Sequence, residues 1–218
     1  MGTLLPSSPL YGCSGRVGDF ILYTVGGKTF FRYGPQKIGN PRTEKQCLQR
    51  GRISAAQTLF RSVKCCILYD VENRAARLQG KRSGYHLYLS RNTRAFGKGE
   101  YVDYSQLTFT EGVLQLPYDL RMQMTAKDTA VFSWLDNSGQ TTANADDRLM
   151  MAAVFPDEPF RVEMLTSIRA VRGDGGAVIA LPQRGEKVHL YCFFASADGT
   201  AFSADRYFCT TGVADGVH

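Results

Sequence analysis

The chain has 218 residues, of which 44% are hydrophobic and 21% are charged, and its formal net charge is +6. These values are typical of a globular protein with a real core, and no apolar run approaches the roughly 18 residues that a membrane-spanning helix needs. The first residues show no basic region followed by an apolar stretch. We therefore expect no secretory signal, and a location in the cytoplasm or in a virion.

The charge is divided unevenly along the chain. Residues 1–105 contain 17 Lys and Arg against 6 Asp and Glu, whereas residues 106–218 contain 9 against 14. Such a division indicates either two regions with different partners, or contact between the front of one copy and the back of another.

Residues 20–33, FILYTVGGKTFFRY, include Gly-Lys-Thr, the ending of a phosphate-binding loop. That loop also requires a glycine five positions before Gly27 and a helix directly afterwards, but Leu22 occupies the position and an aromatic run interrupted by Pro35 follows. Two β-prone runs around a Gly-Gly pair are instead typical of a hairpin with a type I′ turn. The expected cross-strand pairs are Tyr23 with Phe30 and Leu22 with Phe31.

Three helices are predicted between residues 43 and 96. The first begins with Thr43 as N-cap and Gln46 three residues later, which is the pattern of a capping box. The second is predicted over residues 70–79 and the third over residues 84–96. With the hairpin they make a basic module that we predict to span residues 1–105.

From residue 106 the pattern changes to short alternating runs. Hairpins are predicted across Glu111-Gly112 and across residues 126–128, and further strands within residues 148–155, 160–171, 175–182, 187–196 and 201–208. About eight short strands indicate an antiparallel sandwich, with the single Trp134 as core anchor. The predicted fold is therefore α+β, with an N-terminal β-hairpin and two or three helices followed by a C-terminal antiparallel β-sandwich over residues 106–218.

The cysteines and histidines predict no metal site. The six cysteines include no Cys-x-x-Cys pair, and the three histidines have no ligand spacing to them, so neither zinc nor another cofactor is expected. We expect reduced cysteines that act as small core residues. A bridge between Cys192 and Cys209 stays open only for an exported protein.

No catalytic set is predicted. His189 is the only histidine in a predicted strand, and we expect it at the surface or at an edge. The neighbouring Asp146 and Asp147 are expected in a solvated loop, and Arg-Gly-Asp at residues 172–174 in a turn. A hydrolase built on His189 or on Asp146 and Asp147 is the least favoured hypothesis, and the chain is predicted not to be an enzyme.

The region from residue 28 to residue 98 has the composition of a nucleic-acid-binding surface. It carries 16 basic residues against three acidic ones, with aromatic residues interleaved, and a phosphate backbone with its bases would select such a stripe. A solvated helix face or a protein interface has the same composition. The candidate basic contact surface consists of Arg32, Arg42, Lys45, Arg50, Arg61, Lys81 and Arg82.

The front of the chain resembles an uncharacterised family of Bacteroidota proteins, many of them encoded near phage-derived genes. The shared features are a Gly-x-Val-Gly hairpin, an arginine before a proline, and a Pro-x-Thr-x-x-Gln-x-x-x-Arg helix start. Here they are Gly15, Val17 and Gly18, then Arg32 and Pro35, then Pro41, Thr43, Gln46 and Arg50. The resemblance runs along most of the chain, and it implies no catalytic residues because the family has no known function.

The tail resembles a fibronectin type III or immunoglobulin-like sandwich, with Trp134 in an early strand and HLYCFFASADGTAFS as the last hairpin. Such sandwiches are usually adhesion or assembly modules, although a fold alone does not determine function. The leading hypothesis is a non-enzymatic structural or assembly protein, a phage-related virion component that acts through protein–protein contacts and self-assembly. The alternative is a nucleic-acid-binding protein that uses the basic front. Neither hypothesis involves a membrane.

Overall fold

The computed structural model describes residues 2–35, 40, 42–98, 101–126, 128–182 and 187–210. The chain divides into two compact units, an N-terminal unit Met1–Thr43 and a second unit Glu44–His218. The boundary therefore falls after Thr43, whereas the sequence predicted it after residue 105.

The N-terminal unit is a four-stranded antiparallel sheet. Its strands are β1 (Gly2–Thr3), β2 (Gly15–Val17), β3 (Phe20–Val25) and β4 (Lys28–Tyr33), in the order β1-β4-β3-β2. The predicted hairpin is β3–β4, with Tyr23 opposite Phe30 and Leu22 opposite Phe31. Both turn glycines have positive φ, 57° and 76°, as a type I′ turn requires. Strands β1 and β2 were not predicted because two or three residues are too few to show alternation.

The second unit begins with three helices, α1 (Glu44–Val63), α2 (Leu68–Leu78) and α3 (Gly84–Asn92). All three lie where the sequence predicted them. In α1 the buried residues Ala56, Leu59, Phe60 and Val63 recur at three- and four-residue intervals, which is the spacing of one helix face. No helix in the described part of the chain is long and apolar enough to cross a membrane.

The rest of the second unit forms a β-sandwich, as predicted. One sheet has the order β5-β6-β9 and the other the order β11-β10-β7-β8, and all pairs are antiparallel. The strands are β5 (Tyr118–Ala126), β6 (Thr129–Leu135), β7 (Arg148–Val154), β8 (Val162–Met164), β9 (Gly176–Ala180), β10 (His189–Ala195) and β11 (Arg206–Cys209).

Helices and strands share a core, which explains where the unit boundary lies. Every residue of β10 is buried. Leu190 and Phe194 face the other sheet, where they pack with Trp134, whereas Tyr191 and Phe193 face the helices and belong to the cluster that contains Phe60. Successive strand residues point to opposite faces, so β10 requires a covering layer on both sides. A boundary after residue 105 would separate the helices from the sheet that they cover.

The predicted hairpin across Glu111-Gly112 is wrong. The segment forms only an isolated bridge between Leu114 and Ser203. Side chains instead bind its backbone: Asn92 Oδ1 accepts the Thr108 N–H at 2.8 Å, and Asp205 Oδ2 accepts the Phe109 N–H at 2.6 Å. The alternation in this sequence therefore reflects packing of an extended segment and not strand pairing.

Candidate functional site

One face of the N-terminal sheet is an apolar groove, which we call the groove face. Phe20 contacts Phe31 and Tyr33 edge to face, with ring centroids 5.9 and 5.8 Å apart. The groove has a volume of about 160 Å³ and is lined by Leu4, Leu10, Val17, Phe20, Leu22 and Phe31.

Hydrogen bonds hold the segment after β1 against the hairpin. The Leu4 N–H donates to the Thr29 carbonyl at 2.8 Å, the Gly12 N–H donates to Thr29 Oγ1 at 2.8 Å, and the Tyr11 hydroxyl donates to the Gly27 carbonyl at 2.6 Å. On β1, a Cβ on Gly2 would lie 2.5 Å from the Phe31 ring. The glycine therefore lets this ring lie directly on the neighbouring strand.

Among the described residues of the N-terminal unit, none covers the groove face. Val17, Phe20 and Tyr33 are 48%, 46% and 56% exposed. Among the described residues of this unit, Leu22 is the only apolar side chain that is fully buried. A domain of this size buries a smaller fraction of its surface on folding than a larger domain does, and small scaffolds usually depend on additional support. The groove face is therefore an exposed apolar surface on a unit that has little apolar core of its own.

The opposite face of the same sheet is basic and aromatic, and we call it the basic face. Tyr23 and Phe30 are cross-strand partners whose rings stack with centroids 5.7 Å apart at 22°. Arg16, Ile21 and Arg32 form the next row of partners, and Val25 pairs with Lys28 on the other side. With Thr3 on β1, these residues complete the face, and β1 to β4 contain no Asp or Glu.

The seven predicted basic residues are divided between the two units. Arg32 lies on the basic face, and Arg42 lies after the sheet in the same unit. The other five belong to the second unit, where all are exposed: Lys45, Arg50 and Arg61 on α1, and Lys81 and Arg82 after α2. Arg50 and Arg61 are about three turns apart on one side of α1, whereas Lys45 points about 140° away from Arg50 and about 160° away from Arg61, at ~100° per residue. The sequence argument also missed Arg16, because β2 is too short to be predicted.

The Asp146-Asp147 loop differs from its prediction. Asp146 is exposed, but Asp147 is fully buried with Arg172. Arg172 Nε and Nη2 lie 3.0 and 2.9 Å from Asp147 Oδ2, and Nη1 donates to Asn137 Oδ1 at 2.6 Å. The Arg-Gly-Asp turn exists, as a short 3₁₀ turn at Arg172–Asp174. Its arginine is turned into the protein, so this tripeptide does not present the side chain that a receptor would bind.

His189 is also placed differently from its prediction. It lies on the inner strand β10 and is 8% exposed. Its ring stacks on Tyr104 with centroids 3.9 Å apart, and Nδ1 shares a hydrogen bond of 2.8 Å with the Tyr207 hydroxyl. Burial, and secondarily Lys187, lower the pKa of His189, which favours the neutral imidazole. Its cross-strand partner Cys209 directs its thiol to the Thr210 carbonyl, so the two do not form a nucleophile–base pair.

The expectation that the cysteines fill the core is correct only for Cys192. Cys13, Cys47 and Cys65 are exposed, Cys66 and Cys209 are half-buried, and none is in a disulfide. Cys192 faces the other sheet, whereas Cys209 is the cross-strand partner of His189 on the opposite face. A bridge between them is therefore excluded by the strand geometry. No group of three metal-ligating side chains occurs within the described ranges.

A second buried polar cluster joins the helices to the extended segment. Glu72 of α2 is fully buried and forms an ion pair with Arg91 of α3, which also donates to Glu111 Oε2 at 2.8 Å. The carboxylate of Asp205, which accepts the Phe109 N–H of this segment, is also buried. Burial raises the pKa of Glu72 to about 8 and the pKa of Asp205 to about 6. Because its partners come from separate elements, we regard this cluster as a structural connection.

Comparison with known proteins identifies the family. The model of a family of unknown function (DUF6266) matches residues 12–209. Because this match covers most of the sequence, the chain belongs to that family. No curated protein matches the chain.

Several solved structures are similar to part of the chain. A crystal structure of chicken CNTN1 FN1–FN3 domains has a TM-score of 0.35 and 7% identity. The matched region is 48% of this chain, and it spans only 34% of the CNTN1 chain. A structure described as a myokine has a TM-score of 0.34 and 11% identity, and the match covers 46% of this chain and 98% of the myokine chain. The fibronectin type III domain of human fibronectin type III domain containing protein 3 has a TM-score of 0.32 and 9% identity, with 49% and 92% covered. The strand order described above, and not these likenesses, establishes the sandwich.

Proposed function

We propose that this member of the family is a non-enzymatic structural or assembly protein whose groove face binds a second copy of the chain. The observation that carries the proposal is the unfilled groove, in a unit whose described residues bury one apolar side chain completely. Covering Phe20 and Val17 would remove apolar surface from water, at roughly 25 cal/mol per Å².

The charge division supports a second copy as the occupant. The N-terminal unit has five Lys and Arg against one Asp, and residues 106–218 have a net negative charge, so the two regions attract each other between copies. The sandwich also exposes apolar side chains, the cross-strand partners Tyr118 and Leu135 at 55% and 61% and Val178 at 73%. A contact between different surfaces of two copies closes into a ring or grows into a filament. Either result suits an assembly role.

Two further considerations shape the proposal. The side chains that could have served catalysis, such as His189 and Asp147, are buried and engaged by neighbouring residues. The resemblance to phage-associated Bacteroidota proteins motivates the more specific proposal of a phage-related virion component.

The test is light scattering after size-exclusion chromatography over a range of protein concentrations. The unsubstituted protein is expected to form a defined oligomer that weakens with salt, because the charge attraction is screened. Phe20→Ser and Val17→Ser should shift it toward the monomer. Val25→Ser is the matched control, since Val25 is 61% exposed on the opposite face of the same sheet. A strictly monomeric protein, or a control that dissociates as readily as Phe20→Ser, would contradict the proposal.

The alternative function, nucleic-acid binding by the basic front, has one specific observation in its favour. The basic face places cations around a stacked aromatic pair. The absorbance ratio at 260 and 280 nm in the same chromatography experiment reports nucleic acid that copurifies with the protein.

A further inference from the structure

We propose that the basic face of the N-terminal sheet binds single-stranded nucleic acid, with Tyr23 and Phe30 stacking on bases and Arg16, Lys28 and Arg32 binding phosphates. This proposal specifies the alternative function named above. It does not depend on the assembly proposal, because the groove face lies on the other side of the sheet.

The strand register gives the face its shape. Arg16, Ile21 and Arg32 are partners across β2, β3 and β4, and Tyr23 and Phe30 form the adjacent row. Rows two residues apart on a strand are separated by about 7 Å, and neighbouring strands by about 4.8 Å. The aromatic pair therefore lies within reach of cations on both sides, with the arginine row on one and Lys28 on the other.

The side chains of the basic face are accessible to a ligand. Tyr23 and Phe30 are half-buried, while Arg16, Lys28 and Arg32 are exposed. The Arg16 Nε donates to the Gly18 carbonyl at 3.0 Å, which orients its guanidinium at the edge of the sheet. A guanidinium held in this way retains donors for two phosphate oxygens.

The charge around the face favours a polyanion over an acidic peptide or a neutral surface. Asp19 is the only acidic residue among the described residues of the N-terminal unit, and it lies in the turn between β2 and β3. A phosphate backbone can meet the three cations in succession without a compensating repulsion. The aromatic rings add a feature that specifically suits bases.

The ligand is single-stranded because stacking on protein rings requires bases that are free of their own helix. Duplex bases are stacked internally, and proteins read them from the grooves with a protruding element. A sheet face with exposed rings between cations is instead the arrangement of a stacking platform.

The test measures fluorescence anisotropy of labelled single-stranded DNA and RNA of about 12 nucleotides and of the matching duplex. The unsubstituted protein should bind the single strands more tightly than the duplex. Tyr23→Leu and Phe30→Leu keep an apolar side chain and should each weaken binding about 5- to 150-fold, the loss of one base stack. Arg16→Gln and Arg32→Gln should each reduce the slope of log affinity against log salt by about 0.7.

Two controls separate this site from other basic surfaces and from misfolding. Arg61→Gln removes an exposed cation of α1, in the second unit, and should leave the affinity unchanged. The arginine variants alter exposed side chains, so their circular dichroism and melting should match the unsubstituted protein. Absent binding at low salt, equal binding of duplex, or loss of binding only in Arg61→Gln would overturn the proposal. An oligomer lost in Tyr23→Leu without any nucleic-acid binding would assign the face to protein contacts and overturn it as well.

Discussion

The buried ion pair between Arg172 and Asp147 makes the sandwich sensitive to the loss of a single charge. Arg172→Met keeps much of the side-chain volume, but it leaves the Asp147 carboxylate buried without its cation. It also removes the donors to Asn137 Oδ1 and to the Gln115 carbonyl, at 2.6 and 2.8 Å.

The expected cost follows from this environment. Both side chains are 0% exposed, and removing one partner of a buried pair typically costs about 3–5 kcal/mol. The whole protein is expected to be stable by about 5–15 kcal/mol, so Arg172→Met should remove a large part of the free energy of unfolding. The double variant Arg172→Met with Asp147→Asn removes the unpaired charge and should be more stable than Arg172→Met alone. Asp147→Asn retains an oxygen that can accept the Asn144 N–H, which binds Asp147 Oδ2 at 3.0 Å.

Urea unfolding followed by tryptophan fluorescence is the suitable assay. Trp134 is the only tryptophan, and its Nε1 donates to the Arg172 carbonyl at 2.7 Å, so its emission reports the site directly. Arg121→Met is the matched control: Arg121 pairs with Asp119 at 2.7 Å, but the two side chains are 72% and 47% exposed, and such a pair contributes about 0–1 kcal/mol. The reasoning is refuted if Arg172→Met lowers the free energy of unfolding no more than Arg121→Met does. It is also refuted if the loss in the double variant equals the sum of the losses in Arg172→Met and Asp147→Asn measured separately.

Three further predictions concern the second unit and the cysteines. The pKa of Glu72 is raised to about 8 from 4.5, so the folded state holds its proton more tightly and stability should fall as pH rises between these values; Glu72→Gln should flatten this dependence in urea unfolding, and an unchanged slope would contradict the assignment. A Cβ on Gly112 would lie 2.2 Å from the Phe202 carbonyl oxygen, whereas a Cβ on Gly51 in α1 would meet nothing within 4 Å. Gly112→Ala should therefore destabilise the protein by about 1–3 kcal/mol, and Gly51→Ala should stabilise it by about 1 kcal/mol. Thermal unfolding of the two variants measures both effects. Burial raises the pKa of the Cys192 thiol, so a thiol reagent should modify Cys192 only after unfolding. The native protein should be labelled at the exposed Cys13, Cys47 and Cys65, as mass spectrometry would show. Labelling of Cys192 in the native protein would contradict this and would show that β10 opens readily.

Much of the local structure could be predicted because its signals lie within a few neighbouring residues. The Gly-Gly turn between β-prone runs predicted β3–β4 with the correct register, and apolar spacing predicted α1 and the strands from β5 onward. Trp134 was correctly expected in the core, where it is 5% exposed and packs edge to face on Phe194 at 5.6 Å.

The candidate site was only partly predictable. The basic composition of the front was evident, and Arg32 was among the residues chosen. However, the seven residues were taken together because they are close in sequence, whereas a sheet collects residues by register. Arg16 joins Arg32 only because both strands pair with β3.

The sequence by itself determined the helices, the main hairpins and the presence of a sandwich, because these depend on periodicity and on turn chemistry between neighbouring residues. Tertiary structure decided which polar residues are buried and which residues share a face. Asp147 and Arg172 are 25 residues apart in the chain, and nothing local distinguishes them from solvated loop residues. The unit boundary was decided in the same way, since the helices are joined to the strands by a shared apolar core that forms only when distant segments meet.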